Sequence, residues 1–190
     1  AVINSKFLRI NNIMNIFEQI SVLGLVAAGA TVIIISGNFD ISVGAIIGLA
    51  SCVMAIGINN NLNPFIASLL GVFLAMFCTL LNGILSIIFH APSFIISLAT
   101  TSIYTGTALF ITKGVIRTVY GRFDILAGTR IFGFVPLLFV ISIFGYVLVH
   151  IMLSYTQIGR RLFAIGCNER AAYLAGINIT KNKLLFFAIN

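Results

Sequence analysis

The most extensive feature of the sequence is an apolar stretch over residues 20–58 that contains very few polar side chains. A helix needs about 20 apolar residues to cross a bilayer, so this stretch is about twice as long as one span requires. The turn-forming residues near its middle lie in the sequence SGNFD, at 36–40. The pattern therefore predicts two spans, Ile20–Gly37 and Ile41–Ile58, with a short break between them.

The rest of the chain alternates in the same way between apolar runs and polar connectors. The connectors lie at 59–64, 90–92, 113–131 and 155–183. The apolar runs predict spans at Phe65–Phe89, Phe94–Thr112 and Phe134–Ser154, and the start of another at Leu184. We predict an all-α, polytopic membrane helix bundle of about five complete spans plus the start of a sixth, in one transmembrane domain over residues 1–190. Because the chain begins without methionine and stops inside an apolar run, we expect a fragment of a longer protein.

Composition agrees with a membrane protein. Charged residues form 8% of the chain and hydrophobic residues 60%, and the mean hydropathy is +1.15. An ordinary soluble domain carries roughly 25% charged residues. The net charge of +7 is concentrated in the ends and connectors, where it flanks spans and forms no basic face of the kind that binds nucleic acid. We expect the lipid bilayer as a partner, and no nucleic acid.

Residues suited to catalysis or cofactor binding are scarce. The cysteines and histidines have no metal-ligand spacing: Cys52, Cys78, Cys167, His90 and His150. The sequence contains no Gly-Lys dipeptide and therefore no Walker A loop. It also shows no paired carboxylates and no activated nucleophile. We predict no catalytic residue, no metal site and no cofactor, which argues against an enzyme.

Small residues recur at every fourth position of the third predicted span. They are Ala67, Gly71, Ala75, Thr79 and Gly83, and the sequence GAIIG at 44–48 repeats the spacing in the second span. On a helix this spacing forms a nearly straight ridge that lets another backbone approach closely. We predict tight helix packing along both ridges, with the lining of a substrate path as the alternative.

Asp40 is the only formally charged residue between Glu18 and Lys113. We expect its carboxylate to cap the second span by accepting a hydrogen bond from the backbone N–H of Ser42 or Val43. Donors left unpaired near lipid are costly, so a capping carboxylate offsets the cost of its own burial. A place in a substrate path, together with Ser42 and Gly44, is the alternative.

The connector 155–183 is the longest polar stretch and has internal organisation. Asn168 suits the N-cap position, Glu169 suits the positive end of a helix dipole, and Gly176 suits the C′ position. The residues between them, Arg170–Ala175, favour a helix. We predict a short helix of two turns. It serves either to dock a partner protein or to anchor the chain by positive charge at the membrane.

The same connector resembles the cytoplasmic loop of permease subunits from ribose-type ABC sugar importers. The family pattern G-R-x-x-x-A-x-G-G-N-x-x-A-A-x-x-x-G-I is matched here by Gly159, Arg160, Ala164, Gly166, Asn168, Ala171, Ala172, Gly176 and Ile177. SGNFDISVG at 36–44 is similar to the family's G-G-x-D-L-S-V-G, and residues 91–114 resemble its N-x-F-I-A-T-L segment. Asn38, Ile41 and Cys167 depart from the family pattern.

The resemblance implies a permease of the bacterial plasma (inner) membrane that imports a monosaccharide, ribose or a related sugar. It implies ABC ATPase subunits, a second permease subunit and an extracytoplasmic sugar-binding protein as partners. ATP hydrolysis would then belong to a separate subunit. The alternative is an ion-coupled secondary transporter or channel, which commonly places several ionisable groups in the membrane. Here Asp40 is the one candidate.

The resemblance also assigns a role and a side of the membrane to the connectors. The connector 155–183 would be the cytoplasmic coupling loop, and 113–131 would lie outside. The residues expected to couple to the ATPase are Gly159, Arg160, Gly166, Asn168, Glu169, Ala171, Ala172 and Gly176. The slightly larger excess of positive charge in 155–183 agrees with a cytoplasmic position. The sequence does not indicate which sugar is carried.

Overall fold

The computed structural model describes residues 9–119, 121–123, 128–131 and 135–190, with the backbone alone for residue 11. Within these ranges the helices are α1 (Ile10–Ile35), α2 (Val43–Asn59), α3 (Pro64–Ile88), α4 (Ser93–Thr112), α5 (Leu137–Tyr155), α6 (Gln157–Cys167), α7 (Glu169–Leu174) and α8 (Ile179–Ile189). Two short antiparallel strands, β1 (Arg130–Ile131) and β2 (Val135–Pro136), precede α5.

The predicted membrane helix bundle is confirmed. Among the described residues, α1, α3, α4 and α5 are long and apolar enough to cross a membrane. The second predicted span, Ile41–Ile58, corresponds to α2, an apolar helix of 17 residues. The structure adds the small ladder of β1 and β2 to the all-α architecture, with Arg130 opposite Pro136.

Some helix boundaries differ from the predicted spans. The first helix begins at Ile10 and not at Ile20, because no glycine or proline interrupts the chain between these residues. The last helix begins at Ile179 and not at Leu184, because the Asn178 side chain caps it by accepting a hydrogen bond from the Lys181 N–H at 2.9 Å. The predicted start of the fifth span, Phe134, lies outside the described residues.

The connector 155–183 contains more helix than predicted, since α6 precedes the short helix α7. Buried Leu162 and Ile165 alternate along α6 with exposed Arg160 and Arg161. This is the apolar periodicity of an amphipathic helix. The positive charges and glycines of this segment are typical of a loop, and for this reason the sequence analysis did not predict α6.

Two groups of buried side chains hold the helices together. The first core joins α1, α6, α7 and α8 through Val32, Ile33, Leu162, Ile165, Ala172, Phe186 and Phe187. The second core joins α2, α3 and α4 through Ile46, Leu49, Cys78 and Tyr104. Helix α8 contacts both α1 and α3 and therefore links the two groups.

The ridge of small residues on α3 packs as predicted. Ala67, Gly71, Thr79 and Gly83 are buried. A Cβ added at Gly71 would lie 2.7 Å from the Met54 side chain of α2. The second ridge does not pack within the described part of the chain, because Gly44 and Gly48 are exposed and have open space where a Cβ would stand.

Candidate functional site

The connection between α1 and α2 is a non-helical segment that is hydrogen-bonded to α3 and α4. We call residues 38–42 the break. Gly37, with φ +79°, ends α1 in a left-handed conformation that glycine adopts without strain. The Phe39 N–H then donates to Ser93 Oγ at 2.8 Å, and the Ile41 N–H donates to Ser97 Oγ at 3.1 Å. Two serines of α4 thus replace the helical acceptors that the break lacks.

Asp40 lies within the break and binds the start of α2. Its Oδ1 accepts from the Ser42 N–H at 2.8 Å and from the Ser42 hydroxyl at 2.6 Å. The hydrogen bond that we predicted from the Ser42 backbone is therefore present. The predicted cap, however, is wrong: the helix begins at Val43 and not at Ile41, and Ser42 occupies the N-cap position without a side-chain cap, because the Ile41 and Ser42 amides bond to side chains. A place for Asp40 in a substrate path stays a prediction.

A chain of polar side chains extends from Asp40 into the bundle. Asn82 of α3 donates through Nδ2 to Ser42 Oγ at 2.7 Å and to Asp40 Oδ2 at 3.3 Å. The Tyr104 hydroxyl of α4 lies 3.0 Å from both Asn82 Oδ1 and the Cys78 carbonyl oxygen. Ser42 and Asn82 are 0% and 1% exposed. We call Asp40, Ser42, Asn82 and Tyr104 the polar network.

Sequence reasoning missed Asn82 and Tyr104 of this network and both serine acceptors. Asp40 and Ser42 are near neighbours, so their contact follows from local geometry. Asn82 is separated from Ser42 by 40 positions, and Ser93 and Ser97 are 54 and 56 positions from their partners. The available signal was the presence of polar residues on otherwise apolar helices, since buried polar groups need partners.

Helix α6 begins close to the end of α5 and passes close to the end of α1. The Thr156 hydroxyl accepts from the Gly159 N–H at 3.3 Å and caps α6. A Cβ at Gly159 would overlap the Leu153 carbonyl group, and a Cβ at Gly166 would overlap the Ile35 carbonyl oxygen. Both positions of the predicted coupling loop thus require glycine for close backbone approach.

Helix α7 is capped at both ends, as its sequence predicted. Asn168 Oδ1 accepts from the Ala171 N–H at 3.0 Å, and Glu169 lies in the first turn. At the other end the Ile177 N–H donates to the Ala172 carbonyl at 3.1 Å, around Gly176 at φ +82°. A surface ion pair of 3.2 Å between Glu169 and Lys183 connects α7 to α8.

The two sides of α7 have different surroundings. Ala172 is 4% exposed and belongs to the first core, so a small residue is needed there by this chain itself. Tyr173 and Leu174 are 69% and 79% exposed. The surface that α7 offers to another molecule is therefore formed by Tyr173, Leu174 and the exposed Ala171, while Ala172 is the anchor.

A cavity of about 1130 Å³ separates α7 from the turn between α3 and α4. Asn38 and Phe39 of the break line it, together with His90 of that turn and Glu169 and Tyr173 of α7. The structure thus brings the predicted coupling helix and the break to the same end of the bundle. Among the described residues, no cluster of His, Cys, Asp or Glu is arranged to hold a metal ion.

Comparison with known proteins gives matches along nearly the whole chain. The chain is 33% identical over its full length to a ribose import permease protein of Bacillus subtilis and covers 59% of that relative. It is 31% identical to the ribose import permease protein of Haemophilus influenzae and covers 60% of it. It is 28% identical to an autoinducer 2 import system permease protein of Photorhabdus laumondii and covers 57% of it.

The chain thus spans about three fifths of the length of these curated relatives. No solved structure matches it. A family described as the branched-chain amino acid transport system / permease component matches residues 12–190. This match and the apolar helices identify a multi-pass protein of the bacterial plasma (inner) membrane. The chain belongs to that family of transport permeases.

Proposed function

We propose that this chain is part of the permease subunit of an ATP-binding cassette importer that carries a monosaccharide, ribose or a related sugar, across the inner membrane. The names of its relatives support an import function, and one relative, from Escherichia coli, is named a probable ABC transporter permease protein. In this proposal the subunit is not an enzyme. A separate ABC ATPase hydrolyses ATP, a second permease subunit completes the membrane pathway, and an extracytoplasmic sugar-binding protein delivers the sugar.

The observation that carries the proposal is the construction of α7. An element that passes movement between subunits must be short and rigid, because a flexible loop would absorb the displacement. Helix α7 is capped by Asn168 and Gly176 and is attached to the first core by Ala172. Exposed Tyr173 and Leu174 supply apolar anchors of the kind that fill a pocket on a partner. We propose that α7 is the coupling helix and that these two residues contact the ATPase.

A matched pair of arginine variants in the complete subunit tests this contact. Leu174 and Ile116 are both strongly exposed, at 79% and 88%, but Ile116 lies in the connector that we place outside. Leu174→Arg should reduce co-purification of the ATPase at least about tenfold, because charge and bulk enter an apolar pocket. Ile116→Arg should leave co-purification unchanged. Wild-type co-purification with Leu174→Arg would overturn the assignment of α7. Ala172→Arg is a poorer test, because it would disrupt the first core.

The orientation of the connectors is tested by labelling in whole cells. We place 113–131 outside, where Arg117, Arg122 and Arg130 face the sugar-binding protein, and 155–183 inside. With exposed Cys167 changed to serine, Arg122→Cys should react with an impermeant maleimide in intact cells. Tyr173→Cys should react only after lysis. The opposite pattern would reverse the topology. Arg122 is preferable to Gly121, whose φ of +75° disfavours a side chain.

The energy source separates an ABC importer from an ion-coupled transporter. Uptake of labelled ribose by cells that express the complete permease and its ATPase should cease when ATP is depleted and should persist when the proton gradient is collapsed. The reverse dependence would favour the ion-coupled alternative. In the structure, the one acidic side chain of the break, Asp40, is engaged in hydrogen bonds to Ser42 and Asn82.

A further inference from the structure

We propose that the break is the part of the bundle that receives the movement of α7, through two contacts at Gly166 and Gly83. This inference rests on the proposed function, because it needs an ATPase that displaces α7. It adds the route by which that displacement reaches the membrane helices. The residues involved act by position and not by contact with a substrate.

The first contact joins α6 to the end of α1. Helix α6 ends at Cys167 and α7 begins at Glu169, so the two helices share Asn168 as their only connector. Gly166 lies directly against the carbonyl of Ile35, and a Cβ there would stand 3.4 Å from Ser36 Cα. No side chain intervenes that could change rotamer. Because protein interiors are close-packed, a shift of α6 must displace the residues that lead into the break.

The second contact joins α8 to α3. The Phe187 ring, 2% exposed, packs on Gly83, where an added Cβ would lie 2.8 Å from the ring. The next residue toward the N-terminus is Asn82, which holds Ser42 and Asp40 by hydrogen bonds. Helix α8 is tied to α7 by the ion pair of Lys183 with Glu169 and by the first core. A displacement of α7 therefore reaches the break by two routes: through α6 to the end of α1, and through α8 to Asn82 of α3.

The surroundings of α7 favour an indirect route, because a cavity lies between α7 and the turn that joins α3 to α4. The cavity separates Glu169, Arg170 and Tyr173 on one side from His90 and Pro92 in the turn between α3 and α4. Among the described residues, α7 packs against α6 and α8, so we assign its route to these two helices.

The test is made on the complete permease, assembled with its ATPase in proteoliposomes. Every native cysteine of the complete permease, Cys52, Cys78 and Cys167 included, is replaced by alanine, and Phe39→Cys, at a position 47% exposed in the break, reports local accessibility to a maleimide. We expect the labelling rate to change about threefold or more between nucleotide-free and ATP–vanadate states. Gly166→Ala should abolish this change while the ATPase remains bound.

Gly145→Ala is the matched control. Its added Cβ would crowd the Leu25 side chain at 2.5 Å, in the contact of α5 with α1, away from the break. The control should keep the nucleotide-dependent change, because the end of the flexible leucine can move aside. An equal loss in both variants would overturn the proposed route and indicate general disturbance of packing. No nucleotide-dependent change in the parent protein would also overturn it.

If Gly166→Ala fails to assemble, the contact of Phe187 with Gly83 provides an independent test. Gly83→Ala should reduce the labelling change, and adding Phe187→Leu should restore it, because the smaller side chain removes the crowding. A Gly83→Ala variant that retains the full change would overturn the role of this contact. A parent permease that binds no ABC ATPase would contradict the proposed function, whereas one that binds it without any change at Phe39→Cys would contradict the route alone.

Discussion

The two connections that flank α2 satisfy their backbone donors in opposite ways. Before α2, the Phe39 and Ile41 amides donate to serine side chains of α4. After α2, the Leu62 amide donates to the carbonyl of Gly57 at 3.0 Å, and the Asn63 side chain caps α3 by accepting from the Phe65 N–H at 2.9 Å. The first connection depends on distant residues, and the second is built from its own neighbours.

Burial explains the difference. Residues 59–63 are exposed, so water completes the hydrogen bonds that the turn leaves open. The hydrogen-bonding hydroxyls at the break are buried: Ser42, Ser93 and Ser97 are 0%, 7% and 0% exposed, although the apolar Phe39 and Ile41 side chains are 47% and 38% exposed. Backbone donors in such surroundings need protein partners, because unpaired groups are costly away from water. Substitutions at the break should therefore cost more than substitutions at the exposed turn, and they should involve α3 and α4.

The largest effect is expected for Asp40→Ala. The change leaves the Ser42 N–H and one Asn82 donor without their acceptor, in a buried place, and removes a charged hydrogen-bond partner. We expect the free energy of unfolding in detergent to fall by about 3 kcal/mol. Asp40→Asn, which keeps a carbonyl oxygen, should lose less. A cost no larger than that of a change in the exposed turn would contradict the comparison.

The next largest effect is expected for the double variant Ser93→Ala, Ser97→Ala. It removes the acceptors of the Phe39 and Ile41 amides without changing the size of α4 greatly. We expect a loss of about 2 kcal/mol in stability. Hydrogen exchange should accelerate at the Phe39 and Ile41 amides specifically. Unchanged exchange at these amides would show that the serines do not hold the break.

Tyr104→Phe should have a smaller effect at the far end of the polar network. The hydroxyl is lost while the ring remains in the second core, and Asn82 Oδ1 loses its partner. We expect a loss of about 1 kcal/mol by thermal unfolding in detergent. Thr107→Val on the exposed side of α4 serves as the control, since its hydroxyl bonds only to its own helix, at Ile103. Equal effects would mean that the network adds nothing beyond helix stability.

The smallest effect is expected for Asn63→Ala in the exposed turn. The variant removes the cap of α3, but water can reach the freed Phe65 N–H. We expect a loss of about 0.5 kcal/mol, at the low end for N-caps. Chemical unfolding in detergent measures it against the parent. A loss comparable to that of Asp40→Ala would show that exposure does not separate the two connections.

The contrast also shows what the sequence could predict. The bond of Asp40 to Ser42 and the cap of Asn168 on α7 follow from local spacing, and the structure contains both. Asn82 and Ser97 could not be assigned to the break, because their positions depend on how α3 and α4 pack. The spans could be predicted from the apolar runs. Predicting α6 would have required more weight on the amphipathic spacing of its apolar residues than on its positive charge.

Ala172 illustrates a different limit. A small residue on a short helix suits a groove on a partner and suits a crowded interior equally well. The sequence favoured the partner, and the structure places Ala172 in the first core, with Tyr173 and Leu174 exposed beside it. Burial of a single alanine depends on the orientation of a six-residue helix. No period can be established over such a short length.

The unequal lengths of α2 and α3 place different demands on membrane thickness. At 17 residues α2 is about 26 Å long, and at 25 residues α3 is about 38 Å long, on either side of a hydrocarbon layer of about 30 Å. A long helix reduces hydrophobic mismatch by tilting, whereas a short one cannot lengthen. The non-helical residues 38–42 supply the missing length before α2, at up to about 3.3 Å each. We therefore expect a thicker bilayer to stretch the break first. The hydrogen bonds of the Phe39 and Ile41 amides are then strained before those within any helix.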